Sequence, residues 1–177
     1  MIVTFDNYNI SVIRKQDAFG IHELMCNNKK RFIRFFPKTL EENITLEKAK
    51  VFSIIKEKAF ENKYEFLFVL KNVNKIIGLI YIKELDWTKK QGEFAYCIAS
   101  GYEGKGLTSK AVSELSKYAF ENLGLEIFQI IVHKDNIASV KVAQNCNFIW
   151  QRTLLKEFTP PNESPLDMEL YELYKNL

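Results

Sequence analysis

The chain has 177 residues, of which 47% are hydrophobic and 27% charged, a balance that excludes a disordered chain and predicts one domain over residues 1–177. The formal net charge of +3 is too small to favour a specific nucleic-acid partner. Three widely spaced cysteines, with neither a signal peptide nor an apolar run of bilayer length, predict a reduced, cytoplasmic protein that is not bound to a membrane.

The first part of the chain predicts one strand followed by helices. The strand covers residues 10–13, after an Asn-rich turn. Apolar residues then recur at helical spacing in residues 21–25 and again along residues 46–59, and Pro37 separates the two helical pieces.

The middle of the chain predicts an antiparallel meander. Short runs rich in β-branched and aromatic residues cover 65–70, 75–82 and 93–98. The first two runs are separated by a turn at 72–74, and the last two by a turn at 89–92.

The last part predicts two helices and two strands. A helix over 108–123 should end at Gly124, which tolerates the left-handed backbone of a helix terminus. A strand over 128–132, a helix over 137–145 and a final strand over 168–173 follow. Together the elements predict a mixed α/β (α+β) fold with a largely antiparallel sheet of six to seven strands and helices on both faces.

Basic residues cluster early in the chain, at Lys29, Lys30 and Arg31, with Arg34 and Lys38 nearby. One interpretation is a solvated helix end or loop. The other is a site for an anionic group on a substrate or cofactor, and the sequence leaves both open.

A glycine-rich turn joins the strand at 93–98 to the helix at 108–123, and it reads Ser100-Gly101-Tyr102-Glu103-Gly104-Lys105-Gly106-Leu107-Thr108. Glycines let a backbone approach a ligand closely, and a helix start presents N–H groups to an anion. The glycine spacing matches neither a P-loop nor a dinucleotide fingerprint. The turn is therefore suited to a pyrophosphate, with a plain helix-capping turn as the alternative.

This turn resembles the loop of the GNAT superfamily of N-acetyltransferases, and residues 102–108 resemble its RimJ/RimL-like branch, which acetylates ribosomal-protein N-termini. The family loop reads Arg/Gln-x-x-Gly-x-Gly/Ala. Gly106 matches it, whereas Glu103 and Thr108 depart from it. The resemblance implies acetyl-coenzyme A as cosubstrate and no metal, with the pyrophosphate held by Glu103, Gly104, Lys105, Gly106, Leu107 and Thr108.

Two further segments resemble the same family. Asn136-Ile137-Ala138-Ser139 matches an Asn-x-x-Ser helix start, and that helix ends in Asn147-Phe148 where the branch has Gly-Phe. Asn136 is then expected to contact the pantetheine arm, with an ordinary helix N-cap as a compatible reading. Residues 92–98 resemble the strand before the loop, which in this family splays from the next strand; the implied pantetheine edge is Cys97, Ile98 and Ala99.

Acetyl transfer from a thioester to an amine needs no protein nucleophile, but it needs a neutral amine and a protonated leaving thiolate. The resemblance makes Ser139 the candidate proton donor, against an ordinary first-turn serine. Glu93 is the candidate base, against an exposed strand-end carboxylate, and His133 is a second candidate. Tyr96 is expected to pack in the core, and Cys97 is not expected to act as a nucleophile.

The sequence says least about the acceptor, which is a protein N-terminus or a small-molecule amine. Phe32, Phe35, Phe36 and Trp87 could line its pocket or simply belong to the core. Two alternatives stay open: an acyl-coenzyme A sensor without catalysis, and an interaction module that assembles through the late Pro-rich loop and final strand. A homodimer is also left open.

Overall fold

In a computed structural model, residues 2–175 form six α-helices and eight strands. The helices are α1 (Ala18–Asn27), α2 (Lys29–Phe32), α3 (Pro37–Glu41), α4 (Leu46–Glu61), α5 (Leu107–Asn122) and α6 (Ile137–Asn145). The strands are β1 (Val3–Phe5), β2 (Tyr8–Val12), β3 (Phe66–Asn72), β4 (Lys75–Asp86), β5 (Gln91–Ile98), β6 (Ile127–Val132), β7 (Ile149–Phe158) and β8 (Leu166–Tyr174).

The strands form one mixed sheet in the order β1-β2-β3-β4-β5-β6-β8-β7. Pairing is antiparallel between β1, β2 and β3 and between β6, β8 and β7, whereas β5 and β6 are parallel. This confirms the mixed α/β class. The predicted count of six to seven strands was slightly low, because β1 and β7 were not recognised.

The two missed strands lie at the edges of the sheet. β1 has three residues, too few for an alternating pattern. β7 has ten residues, none of them buried, so its sequence lacks the apolar alternation that marks a half-buried strand.

The chain divides into two compact units. One holds the residues up to Ile80 together with Tyr96–Glu103, and the other holds Tyr81–Ala95 and the chain from Gly104 onward. The single domain over residues 1–177 stays a prediction.

The core of the first unit forms around β3, in which every residue from Phe66 to Leu70 is buried. Phe60 of α4 packs edge-on against Phe66 and Phe68, with ring centroids 4.9 and 5.4 Å apart. Thr45 begins α4, since its side chain accepts a hydrogen bond from the Lys48 backbone N–H.

The core of the second unit joins β5, β6 and α5 through aromatic rings. Phe128 lies 4.8 Å from Phe94 and 4.9 Å from Phe120, between ring centroids. Gly124 ends α5 with a φ of +77°, and Asn147 follows α6 with a φ of +61°. Both residues therefore adopt the left-handed conformation, which the sequence predicted for Gly124.

Within residues 2–175, no helix combines the length and the apolar character needed to cross a bilayer.

Candidate active site

The pairing of β5 with β6 ends part-way along both strands. It runs from Gln91 opposite Ile127 to Phe94 opposite Ile130. β5 itself continues to Ile98. The splayed strands that the resemblance implied beyond this paired stretch stay a prediction.

The end of β5 is held in the first unit by β4. The Ala99 backbone N–H donates a hydrogen bond to the Ile77 carbonyl at 2.7 Å. A Cβ at Gly78 would lie 2.8 Å from the Cys97 carbonyl oxygen, so glycine is required at this close approach of two backbones. The structure thus fixes Cys97, Ile98 and Ala99 as one rigid edge, and their contact with pantetheine stays a prediction.

Replacing Gly78 with alanine should lower the free energy of unfolding by about 1–3 kcal/mol, since the new methyl group meets backbone that cannot move aside. Urea unfolding measures this change. Gly20→Ala is the matched control, because the nearest atoms to its Cβ belong to the Ile76 side chain, at 3.0 Å from Cδ1, and not to backbone. We expect the control to stay within about 1 kcal/mol of the wild type. Equal stability of Gly78→Ala and the wild type would contradict the close approach.

The glycine-rich turn after β5 has the geometry of an anion-binding turn. Gly101, Gly104 and Gly106 have φ values of +83°, +70° and +73°. A Cβ at any of them would meet nothing within 4 Å, so the backbone is open to an approaching group. Gly106 caps α5 without a side-chain hydrogen bond, which leaves the first helical N–H groups to a ligand.

The other members of the turn differ in exposure. Lys105 is exposed and Thr108 is half-buried, whereas Leu107 is buried and anchors the start of α5 in the core. Leu107 can therefore contribute to an anion site only through its backbone. Phosphate binding by these residues stays a prediction.

Glu103, the member of the turn that departs from the family pattern, is paired with a distant residue. Its Oε1 lies 2.7 Å from Nη1 of Arg31 in α2. The pKa of the Glu103 carboxyl is lowered, first by its own backbone N–H and then by the Arg31 charge and the N–H groups of Gly101 and Tyr102. Sequence reasoning missed this pair, although the basic cluster at 29–31 pointed to an anion in this part of the chain.

The start of α6 is built as the sequence predicted. The Asn136 side chain accepts a hydrogen bond from the Ser139 backbone N–H at 3.3 Å and so caps the helix. Ser139 is half-buried in the first turn. The capping role of Asn136 is confirmed, and the roles of both residues toward coenzyme A stay predictions.

Glu93 is a half-buried carboxylate rather than an exposed strand end. Its side chain is 14% exposed and forms an ion pair of 2.8 Å with Lys83 of β4, a partner that the sequence did not reveal. Burial raises the pKa of Glu93, the charges of Glu84 and Glu157 add to the rise, and Lys83 opposes it. A raised pKa suits a general base that works near neutral pH.

The remaining candidate residues differ in burial and in the contacts of their side chains. His133 is buried, and its Nδ1 accepts the Asp135 backbone N–H at 3.3 Å, which holds the turn before α6. Burial raises the pKa of the Cys97 thiol to about 12, which opposes a nucleophilic thiolate. Phe32 is buried, whereas Trp87 is 42% exposed. Among residues 2–175, no three His, Cys, Asp or Glu side chains are grouped to hold a metal ion.

A family model of the acetyltransferase (GNAT) domain matches residues 9–149, most of the chain. The chain belongs to the GNAT acetyltransferase family. This confirms the fold and the acetyl-coenzyme A-dependent N-acetyltransferase activity that the resemblance implied.

Relatives and solved structures agree with the family. Spermidine N(1)-acetyltransferase of Escherichia coli (strain K12) is 25% identical over 146 residues, which cover 82% of this chain and 75% of that protein. Ribosomal-protein-S5-alanine acetyltransferase from Vibrio fischeri has a TM-score of 0.92 at 22% identity, over 98% of this chain and 96% of that chain. The ribosomal L7/L12 alpha-N-protein acetyltransferase RimL, solved with coenzyme A, has a TM-score of 0.91 at 15% identity, over 98% and 97%.

Proposed function

We propose that this GNAT acetyltransferase transfers the acetyl group of acetyl-coenzyme A directly to a primary amine, with no covalent enzyme intermediate. The observation that carries the proposal is the open glycine turn at the start of α5, where Gly106 leaves the first helical N–H groups to an anion. The turn lies inside the segment that matches the family model. The pyrophosphate of the cosubstrate is the anion that we assign to it.

In the proposed reaction, Glu93 accepts the proton of the acceptor ammonium, directly or through water, and the neutral amine attacks the thioester carbon. The carbon–sulfur bond then breaks, and the Ser139 hydroxyl protonates the departing thiolate. The nitrogen that attacked gives up its extra proton to Ser139, directly or through water, which leaves a neutral amide and restores the hydroxyl. Glu93 suits the first step because its raised pKa brings it closer to neutral pH. The raised pKa of Cys97 favours direct transfer over an acetyl-cysteine intermediate.

For the acceptor, we propose a cationic primary amine, either a protein N-terminus or a small molecule. The relatives are named for spermidine and for ribosomal proteins, which share such an amine. The Glu93 carboxylate would attract the cation before it takes up the proton. An amine panel that includes spermidine and N-terminal peptides separates the two classes, and transfer to none of them would favour the acyl-coenzyme A sensor.

Coenzyme A should stabilise the folded protein. A ligand present at a hundred times its Kd adds about 2.7 kcal/mol, which corresponds to a rise in Tm of roughly 5–10 °C for a chain of this size. Differential scanning fluorimetry with coenzyme A measures this, with adenosine as the control because it lacks the phosphates. An unchanged Tm at saturating coenzyme A would contradict the proposed cofactor site.

A further inference from the structure

The turn at Gly101–Glu103 is tied to the start of α2 at two points. The buried Asn28 accepts the Ser100 backbone N–H on its Oδ1 at 2.8 Å, and three residues later along both segments Arg31 reaches Glu103 at 2.7 Å. These residues all lie within the first unit. The buried hydrogen bond between Ser100 and Asn28 therefore holds the two segments together, and it brings Arg31 within reach of Glu103.

Asn28 is itself held firmly. Its Nδ2 donates to the Leu24 carbonyl at 2.8 Å, and its own carbonyl accepts the Arg31 backbone N–H at 2.9 Å. On the other side of the turn, the Tyr102 hydroxyl accepts a hydrogen bond from Asn72. These bonds hold the backbone of Arg31 beside the turn, and the ion pair with Glu103 directs its side chain toward the turn.

Several groups that can bind an anion surround the Glu103 carboxylate. The carboxylate interacts with its own backbone N–H, with the N–H groups of Gly101 and Tyr102, and with the Arg31 charge. Side-chain exposure is 40% at Arg31 and 41% at Glu103, so solvent and ligands can reach both groups. A guanidinium has five N–H donors, and even a bidentate carboxylate takes up two of them, so donors remain for a second anion.

We propose that Arg31 is a cofactor-binding residue, which contacts a phosphate group of coenzyme A and is held for that role by Glu103. Glu103 positions the guanidinium but also opposes the phosphate by its charge, so it lowers cofactor affinity. This inference deepens the proposed function, because it rests on binding of coenzyme A at the turn that begins with Glu103.

Isothermal titration calorimetry with coenzyme A tests the proposal on single and double variants of the full chain. Arg31→Gln should raise the Kd about tenfold, the value of one charge-assisted hydrogen bond at an exposed site, and Arg31→Lys about threefold. Glu103→Gln should lower the Kd a few-fold, since it removes a negative charge beside the phosphate. Adding Arg31→Gln to Glu103→Gln should still weaken binding several-fold, but less than in the wild-type background, because Glu103 no longer holds the guanidinium.

Arg14→Gln is the matched control, because Arg14 forms another exposed ion pair of the first unit, with Glu57 at 3.1 Å. It removes the same charge and should leave the Kd within about twofold of the wild type. Dephospho-coenzyme A identifies the group: the loss at Arg31→Gln persists if the pyrophosphate is bound and disappears if the 3′-phosphate is bound, and either result supports the proposal.

Two results would overturn the inference. If Arg31→Gln binds coenzyme A as Arg14→Gln does, Arg31 makes no contact with the cofactor. If the double variant binds as tightly as Glu103→Gln, Arg31 serves only to neutralise Glu103. A wild-type protein that binds no coenzyme A would instead remove the proposed cofactor site, and this inference with it. Tm values of all variants, expected near the wild type for an exposed pair, show that the fold is kept.

Discussion

Glutamine in place of Glu93 is expected to lower kcat about 10²- to 10³-fold, while the Kd for acetyl-coenzyme A stays near its wild-type value. Gln has nearly the shape of Glu but cannot accept the proton of the amine. Steady-state kinetics on an acceptor from the amine panel measures kcat, and calorimetry measures the Kd. Glu126→Gln is the control, since Glu126 is an exposed carboxylate of the same unit, paired with Lys90 at 2.6 Å.

The pH dependence of kcat/KM tests the role of Glu93 independently of how far kcat falls in Glu93→Gln. A base must be ionised, so kcat/KM should rise with pH through the raised pKa of Glu93 and fall as pH drops below it. Lys83 lowers this pKa, so Lys83→Met should move the rising limb to higher pH. The limb should vanish in Glu93→Gln. A wild-type profile without this limb, or an unchanged kcat in Glu93→Gln, would remove Glu93 as the base.

The second large effect is expected at Ser139. Alanine there should lower kcat about 10²-fold if its hydroxyl protonates the leaving thiolate, and it should change the Kd for coenzyme A far less. The helix start stays capped, because Asn136 accepts a hydrogen bond from the backbone N–H of residue 139, which alanine retains. Single-turnover acetyl transfer measures the chemical step directly.

Ser113→Ala provides the matched control for Ser139. Ser113 is also a half-buried helical serine of the second unit, but it lies inside α5 and has no proposed role. We expect its kcat within about twofold of the wild type. Equal rates in Ser139→Ala and Ser113→Ala would show that Ser139 is only a structural residue of the first helical turn.

Local signals in the sequence located most of the secondary structure and the turn that carries the proposed site. Helix α5 ends at Gly124 as predicted, and α6 begins at Asn136 as predicted, because capping depends on residues within one turn of the helix end. β7 escaped prediction because an exposed edge strand has no buried face to impose alternation on its residues. Its existence depends on pairing with β8.

The environment of Glu93 could not be predicted from the sequence either. The sequence placed this residue on the right strand, with an exposed strand-end carboxylate as the alternative to a base. Its burial depends on how β4 and β5 lie together, and Lys83 reaches it from the neighbouring strand. A raised pKa follows from that burial, so no reading of the sequence could have assigned it.

By itself the sequence determined the family, the glycine turn with its unusual Glu103, and the capped start of α6, since these are features of contiguous residues. Only the tertiary structure decided which distant residues meet. Asn28 and Ser100 are 72 positions apart, and their hydrogen bond brings Arg31 to Glu103. The sequence showed a basic cluster with two interpretations and a carboxylate in an anion-binding turn. Hydrogen bonds and ion pairs act over a few ångströms in space, so folding alone joins the two features into one site.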